Sequence, residues 1–222
     1  SPGSAKRARS VSACFGSTLP LEDKIAHCER VAAERDLPAL FRITPFDRPD
    51  GLDAALARRG YLAFDRTLVL AAELVGAALP APDAEGVTLV EPSIDAFVDA
   101  VGALRGSPPG QRDAHRERLS HSPLDGRRLV ALEDGEPVAA GKAAREGELV
   151  GVFDVVTAER ARGRGIATAL VARLLARAWE RGARVAYLQV DAGNAPALAV
   201  YRKLGFSTSY EYHYRGREGE CR

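Results

Sequence analysis

Eight consecutive residues, Arg-Ala-Arg-Gly-Arg-Gly-Ile-Ala at positions 160–167, have the composition of an anion-binding turn. They follow a β-branched apolar run, Leu149 to Thr157, and open a helix whose apolar face is marked by Ile166, Leu170, Leu174 and Ala178. Gly163 and Gly165 permit backbone angles that side chains forbid and let amide groups come close to a ligand. At a helix N-terminus those amides lack intrahelical acceptors, and the helix dipole favours an anion such as a pyrophosphate. Arg162 and Arg164 are expected to add local positive charge.

Two other phosphate motifs are excluded. A Walker loop needs Gly-Lys-Ser/Thr after four intervening residues, and no segment has it. A Rossmann fingerprint would want Gly or Ala three residues after Gly165, where Thr168 stands, and an acidic residue about 20 positions on. Asp191 is 28 residues past Gly163. The turn also follows an antiparallel hairpin, not the first strand of a βαβ series.

The elements that must carry this turn read as follows. Residues 87–90 form a short strand, and Ser93 caps a helix through Phe97, Val101 and Leu104 that residues 106–110 end. Residues 111–120 are polar and compatible with a helix. Strands at 128–133 and 137–144 are joined by Asp134-Gly135, a hairpin signal. Residues 185–190 are apolar on both alternating faces, as in a central strand. Residues 196–204 start a helix on proline and stop it at Gly205, and 206–215 close as an aromatic strand. The order β, α, α, β, β, β, α, β, α, β mixes a hairpin with a crossover helix, which predicts an α/β fold with a mixed sheet.

Residues 150–206 resemble the GNAT superfamily of N-acetyltransferases. Its Arg/Gln-x-x-Gly-x-Gly/Ala signature is matched by Arg160, Gly163 and Gly165, and its N-x(6)-Y-x-x-x-G-F ending by Asn194, Tyr201, Gly205 and Phe206. The resemblance extends over roughly residues 86–215. It implies the GNAT fold, acetyl-CoA as cosubstrate, and direct attack by an amine without a nucleophilic side chain. It implies further that Val155, Val156 and Thr157 bond the pantetheine arm. The amides of Arg162, Gly163, Arg164, Gly165, Ile166 and Ala167, with Arg160, would hold the pyrophosphate. Asn194 would bond the cofactor or order its loop. Tyr201 matches the family's acid, and a phenol with a reference pKa near 10 can protonate a departing thiolate. For the base Asp154 ranks first, Glu211 and His213 follow, and water relays are an alternative. Tyr210, Tyr212 and Tyr214 read as ordinary strand aromatics.

Sliding the chain against itself at an offset of 145 places Gly60-Tyr61 on Gly205-Phe206 and, without a gap, residues 21–35, 40–44 and 52–59 on helix 166–180, strand 185–189 and helix 197–204. Thr18, Leu19 and Pro20 replace Gly163, Arg164 and Gly165, and Leu56 replaces Tyr201. Residues 1–79 are thus expected to be a degenerate GNAT-like unit, a half-domain or a truncated one, that binds no CoA. Residues 80–222 are expected to be the catalytic domain, with a boundary near Pro80 and Pro82. Lys6, Arg7 and Arg9 read as a solvated terminus.

The 222 residues are 46% hydrophobic, and 31 basic against 30 acidic side chains create no global field toward nucleic acid or an anionic membrane. No apolar run approaches the roughly 20 residues of a membrane span, and the start lacks a signal-peptide core, so a cytoplasmic protein is expected. The absence of methionine is expected of a chain that begins downstream of its start. Cys14, Cys28 and Cys221 lack zinc spacing, so no metal is expected. The partner expected is an amine, a small molecule more than a protein N-terminus as in ribosomal-protein alanine acetyltransferases. A CoA-binding module without turnover is the second reading, and a nucleotide-dependent oxidoreductase a remote third.

Overall fold

The computed structural model describes residues 6–16, 18–75 and 84–219. Pro80, Pro82 and Cys221 lie outside the described residues. In chain order the first elements are α1 (Lys6–Arg9), β1 (Val11–Ser12), α2 (Leu21–Ala33), β2 (Phe41–Ile43), α3 (Leu52–Arg58) and β3 (Leu62–Glu73). They are followed by β4 (Thr88–Val90), α4 (Ile94–Arg105), α5 (Pro109–Ser120), β5 (Asp125–Glu133), β6 (Glu136–Glu146) and β7 (Leu149–Thr157). A 3-10 turn at Glu159–Ala161 leads to α6 (Ile166–Glu180), β8 (Val185–Asp191), α7 (Ala195–Lys203) and β9 (Ser207–Gly216). No helix among the described residues is long and apolar enough to cross a membrane.

Backbone proximity divides the chain into two compact units. The smaller comprises Ser1–Val69, Asp191–Gly193 and Thr208–Arg222, so most of β9, expected in the second domain, is grouped here. β1 lies parallel to β2, and β2 pairs antiparallel with β9 from Phe41↔Arg215 to Ile43↔His213. Ile25, Phe41, Leu52, Leu56 and Tyr61 form its main core, and Val69, Tyr212 and Tyr214 a second one. Lys6 is no freely solvated residue: it pairs with Asp65 and its ammonium lies 5.1 Å from the centre of the Phe64 ring. The apolar stem of lysine covers an aromatic face while its charge finds a carboxylate.

The larger unit comprises Leu70–Val190 and Asn194–Ser207. Here β4, β5, β6 and β7 run antiparallel in sequence and β8 joins parallel to β7, giving the mixed sheet that the order of elements predicts. Asp134 and Gly135, with φ of 52° and 84°, make the two-residue turn between β5 and β6 in the form that matches strand twist. The Ser93 side chain accepts from the Ala96 N–H at 3.2 Å and caps α4. Gly106 ends α4 in the left-handed conformation, but Pro109 and Gly110 open α5 instead of prolonging a loop. A proline in the first helical turn supplies the required φ and lacks only an N–H that would be orphaned there.

The two helical faces are fixed by neighbouring residues of β6. Ala140 packs with Phe97, Ala100 and Val101 of α4. Gly141 faces the other way, where a Cβ would meet Leu170 Cδ2 of α6 at 2.7 Å. The glycine lets α6 settle onto the sheet, and Ile166, Leu170, Leu174 and Ala178 are buried as their spacing predicts. Helices therefore cover both faces of the strands that lead to the glycine turn.

Candidate active site

The ladder between β6 and β7 slips at the point that matters. Ala140 pairs with Val156 and Lys142 with Phe153, so Gly141 alone opposes both Asp154 and Val155. This is a β-bulge, and Asp154 occupies it with φ of 56°, a left-handed conformation that aspartate tolerates better than most side chains. On its other edge β7 pairs with β8 at Leu149, Val150 and Gly151, and among the described residues the ladder goes no further. Beyond Gly151 the two strands part. A Cβ on Gly151 would lie 2.4 Å from the Phe153 ring and 2.9 Å from the Tyr187 ring, and those two rings meet edge to face at 6.2 Å. Ala158 N–H donates to Val138 O at 2.8 Å. By the alternation of an antiparallel ladder Val156 then also faces β6, and the backbone groups of Val155 and Thr157 face the gap.

The turn follows directly. Ala161 is buried and anchors the 3-10 segment, whereas residues 162–165 are exposed. Gly163 and Gly165 have φ of 78° and 77°, and a Cβ built on either would meet no atom within 4 Å. Gly165 sits at the N-cap of α6 with no side-chain cap. Among the described residues the amides of Gly163, Gly165, Ile166 and Ala167 have no acceptor. The space and the donors together fit an anionic group. Arg164 departs from its expected role, since its guanidinium pairs with Glu133 at 2.7 Å. The hydrogen bond from Arg164 holds the Glu133 carboxyl below its usual range. Arg160, the second charge acting on Glu133, and exposed Arg162 supply the remaining positive charge.

Tyr201 lies on α7, 7% exposed, with its ring edge-to-face against Phe206 at 5.8 Å. Burial raises its pKa, so the phenol keeps its proton. Its hydroxyl has no hydrogen-bond partner among the described residues. Asn194 orders the loop: its Oδ1 accepts from the Ala197 N–H at 3.2 Å and caps α7.

Asp154 is half of a pair that the sequence did not disclose. Its carboxylate receives His115 Nε2 at 3.1 Å and Arg105 at 3.2 Å, with the Lys142 ammonium 3.6 Å away. Burial by itself would raise its pKa. The hydrogen bond from His115 and the charges of Lys142, His115 and Arg105 outweigh that and hold the carboxyl well below the usual carboxylate range. A carboxylate so stabilised as an anion is a poor proton acceptor, which argues against Asp154 as the base. The second-ranked residues are also engaged: His213 pairs with Asp53 at 2.9 Å and Glu211 with Arg66 at 2.6 Å. His115 is the residue the spacing missed. It stands in a polar helix, 39 positions from its partner, and no periodic signal marks it. An ionised carboxylate can only accept, so Nε2 of His115 carries the hydrogen. Nδ1 has no partner among the described residues.

The sequence profile described as "Acetyltransferase (GNAT) family" matches residues 97–206, the stretch from α4 through the turn to Phe206. This chain carries a GNAT-family acetyltransferase domain. The chain is 29% identical over 217 residues to an uncharacterized N-acetyltransferase, YobR, of Bacillus subtilis, covering 96% of this chain and 86% of that protein. It is 38% identical over 83 residues to a mycothiol acetyltransferase of Corynebacterium glutamicum, a stretch that is 36% of this chain and 28% of that enzyme. Among solved structures, a GCN5-related N-acetyltransferase from Kribbella flavida superposes with a TM-score of 0.69 at 22% identity, covering 95% of this chain and 81% of that one. A tandem GNAT protein from the clavulanic acid biosynthesis pathway gives 0.68 at 16% identity, over 86% of this chain and 67% of that one. These two likenesses are likenesses of fold.

Proposed function

We propose that this GNAT domain transfers an acetyl group from acetyl-CoA to a primary amine by direct attack. The observation that carries the proposal is the succession of bulge, parted strands and glycine turn between Asp154 and Ile166. The turn amides and Arg160 would hold the pyrophosphate, and the backbone of Val155 and Thr157 the amide groups of the pantetheine arm. Bound there, acetyl-CoA supplies an activated carbonyl. An amide facing the gap can donate to its oxygen as negative charge develops.

The chain's own residues then account for both protons. A neutral primary amine attacks and sheds one proton as it becomes an amide; His115 takes it at Nδ1, directly or through a water, while Asp154 fixes the ring's tautomer and orientation through Nε2–H. The carbon–nitrogen bond forms, the carbon–sulfur bond breaks, and Tyr201 gives its proton to the departing thiolate. Residues 1–79 are proposed as a degenerate half that holds no cosubstrate, and the acceptor as a small molecule.

Release of free thiol from acetyl-CoA, followed with amino acids, polyamines, aminoglycosides and short peptides as acceptors, tests the proposal. Amine-dependent release supports it, and acetylation confined to peptides would favour a protein N-terminus as acceptor. Acetyl-CoA binding with no release above background hydrolysis for any amine would replace transfer with a CoA-binding module.

A further inference from the structure

The α4 side of the sheet bears a row of side chains that the reaction above does not use in full. Arg128 of β5 pairs in register with Lys142 of β6, and Lys142 with Phe153 of β7. Arg128 and Lys142 lie two residues from Val130 and Ala140, and Phe153 is the cross-strand partner of Lys142, so all three are on the face that α4 covers. The Lys142 ammonium sits 5.4 Å from the centre of the Phe153 ring. From the helices, α4 contributes Arg105 and α5 contributes His115 and, one turn further, Arg118, whose charge reaches Lys142 together with that of Arg128. Elsewhere on these helices Arg116 gathers Asp95, Asp99 and Asp113, and Arg112 donates to Ser107 O.

Arg105 and Lys142 thus flank one carboxylate, Asp154, while Arg118 and Arg128 bring two further charges to Lys142. Among the described residues neither Arg118 nor Arg128 has a carboxylate partner. The Nε of Arg128 is buried with no acceptor among the described residues. A guanidinium donor shut away from water without an acceptor is a cost the fold does not need for packing, and excess positive charge in a half-buried row calls for an anion. Carboxylate geometry matches the guanidinium fork.

Resting on the proposed acetyl transfer, we infer that the acceptor amine carries a carboxylate, which Arg128 and Lys142 receive while the amine faces the bulge at Asp154. Two strand spacings, about 10 Å, separate β5 from β7 at the backbone, and the long basic side chains shorten that reach. An amine and a carboxylate a few bonds apart, as in amino acids, fit this span, whereas polyamines and aminoglycosides would bring positive charge to positive charge.

The test compares initial rates for acceptors that differ only in the carboxylate: glycine, β-alanine, 4-aminobutyrate and L-amino acids, each against its own amide, at saturating acetyl-CoA. The acids should exceed their amides in kcat/KM by about tenfold or more, the worth of one charge-assisted hydrogen bond. Arg128→Gln should collapse that ratio toward one, mainly by raising KM for the acids, and Arg128→Lys should restore part of it. Circular dichroism melts of both variants, read beside the rates, separate a lost site from a lost fold. Equal use of acids and amides, or an Arg128→Gln loss shared equally by both, overturns the inference. So does acetylation confined to neutral or cationic amines, which would leave acetyl transfer itself standing. Failure of acetyl-CoA to bind overturns the transfer reaction and this inference together.

Discussion

In residues 166–214 a helix, a strand, a second helix and a last strand follow a turn built on Gly163 and Gly165. In residues 21–69 the same series follows Thr18, Leu19 and Pro20. The correspondence is close: α2 and α6 begin 145 residues apart (21 and 166), as do β3 and β9 (62 and 207). Arg66 and Glu211, also 145 apart, are bonded to each other at 2.6 Å. Leu56 and Tyr201 occupy one position of this repeat, and both are buried. The position is one of packing in both series, and only residue 201 brings a hydroxyl to it.

The surroundings of the two helices differ more. The inner face of α6 is covered by strands, Leu170 against Gly141. α2 also buries Ile25 against Phe41 and Ile43 of its strand, but His27, Cys28, Val31 and Ala32 beside it line a cavity of about 790 Å³. Burial, then the neighbouring charge of Glu29, pushes the Cys28 thiol up, so this cavity holds no activated nucleophile. The comparison teaches that helix, strand and helix can form a packing unit without a glycine turn ahead of them.

The largest effect expected concerns that packing. Leu170→Ala should cost about 3–5 kcal/mol in urea denaturation, because a well-filled site cannot collapse around the loss, and Ile25→Ala at the equivalent position about 2–3 kcal/mol. Equal costs would mean that the cavity beside α2 gives the site around Ile25 no extra freedom to relax. Next comes the hydroxyl. Tyr201→Phe should lower turnover about a hundredfold, the scale of a lost general acid, with little change in acetyl-CoA affinity, while Leu56→Tyr adds no activity. Unchanged turnover in Tyr201→Phe would leave position 201 as packing in both copies.

The carboxylate at the bulge has its own signature. Its folded pKa lies below the unfolded value near 3.9, so the stability it contributes is present above about pH 4 and is lost as pH falls through the folded pKa. Asp154→Asn should therefore be less stable than the wild type by about 2 kcal/mol at neutral pH, and the gap should narrow in melts taken below about pH 4. A gap independent of pH would mean that shape, not charge, matters there. The smallest effect is at the cap. α7 is capped by Asn194, whereas α3 starts on Gly51 without a side-chain cap. Asn194→Ala should cost about 1 kcal/mol of stability and leave acetyl-CoA affinity within about tenfold. A larger loss of affinity would give Asn194 a direct hold on the cosubstrate.

What the residues disclosed in advance were features written locally. The helix faces, the Asp134-Gly135 hairpin, the Ser93 cap and the glycine turn each depend on neighbours within a few positions, and the structure has them where the spacing put them. Pro109 misled because a proline after a helix and a proline opening the next one look alike in a string. The bulge was hidden because nothing in Phe-Asp-Val-Val announces that an aspartate will take a positive φ. The pairs His115 with Asp154 and Arg164 with Glu133 join residues 39 and 31 positions apart (164 minus 133), which only the sheet and its covering helices bring together. The proposal of His115 as base accordingly rests on a contact that no local pattern announces.

The central claim is that only one of the two copies kept a turn able to hold a pyrophosphate, and titration calorimetry with acetyl-CoA tests it directly. The wild type should bind one molecule per chain, and Gly163→Glu, which places a carboxylate among the amides and a side chain at φ of 78°, should weaken binding on the order of a hundredfold. Two molecules per chain, or undiminished binding by the variant, would contradict it.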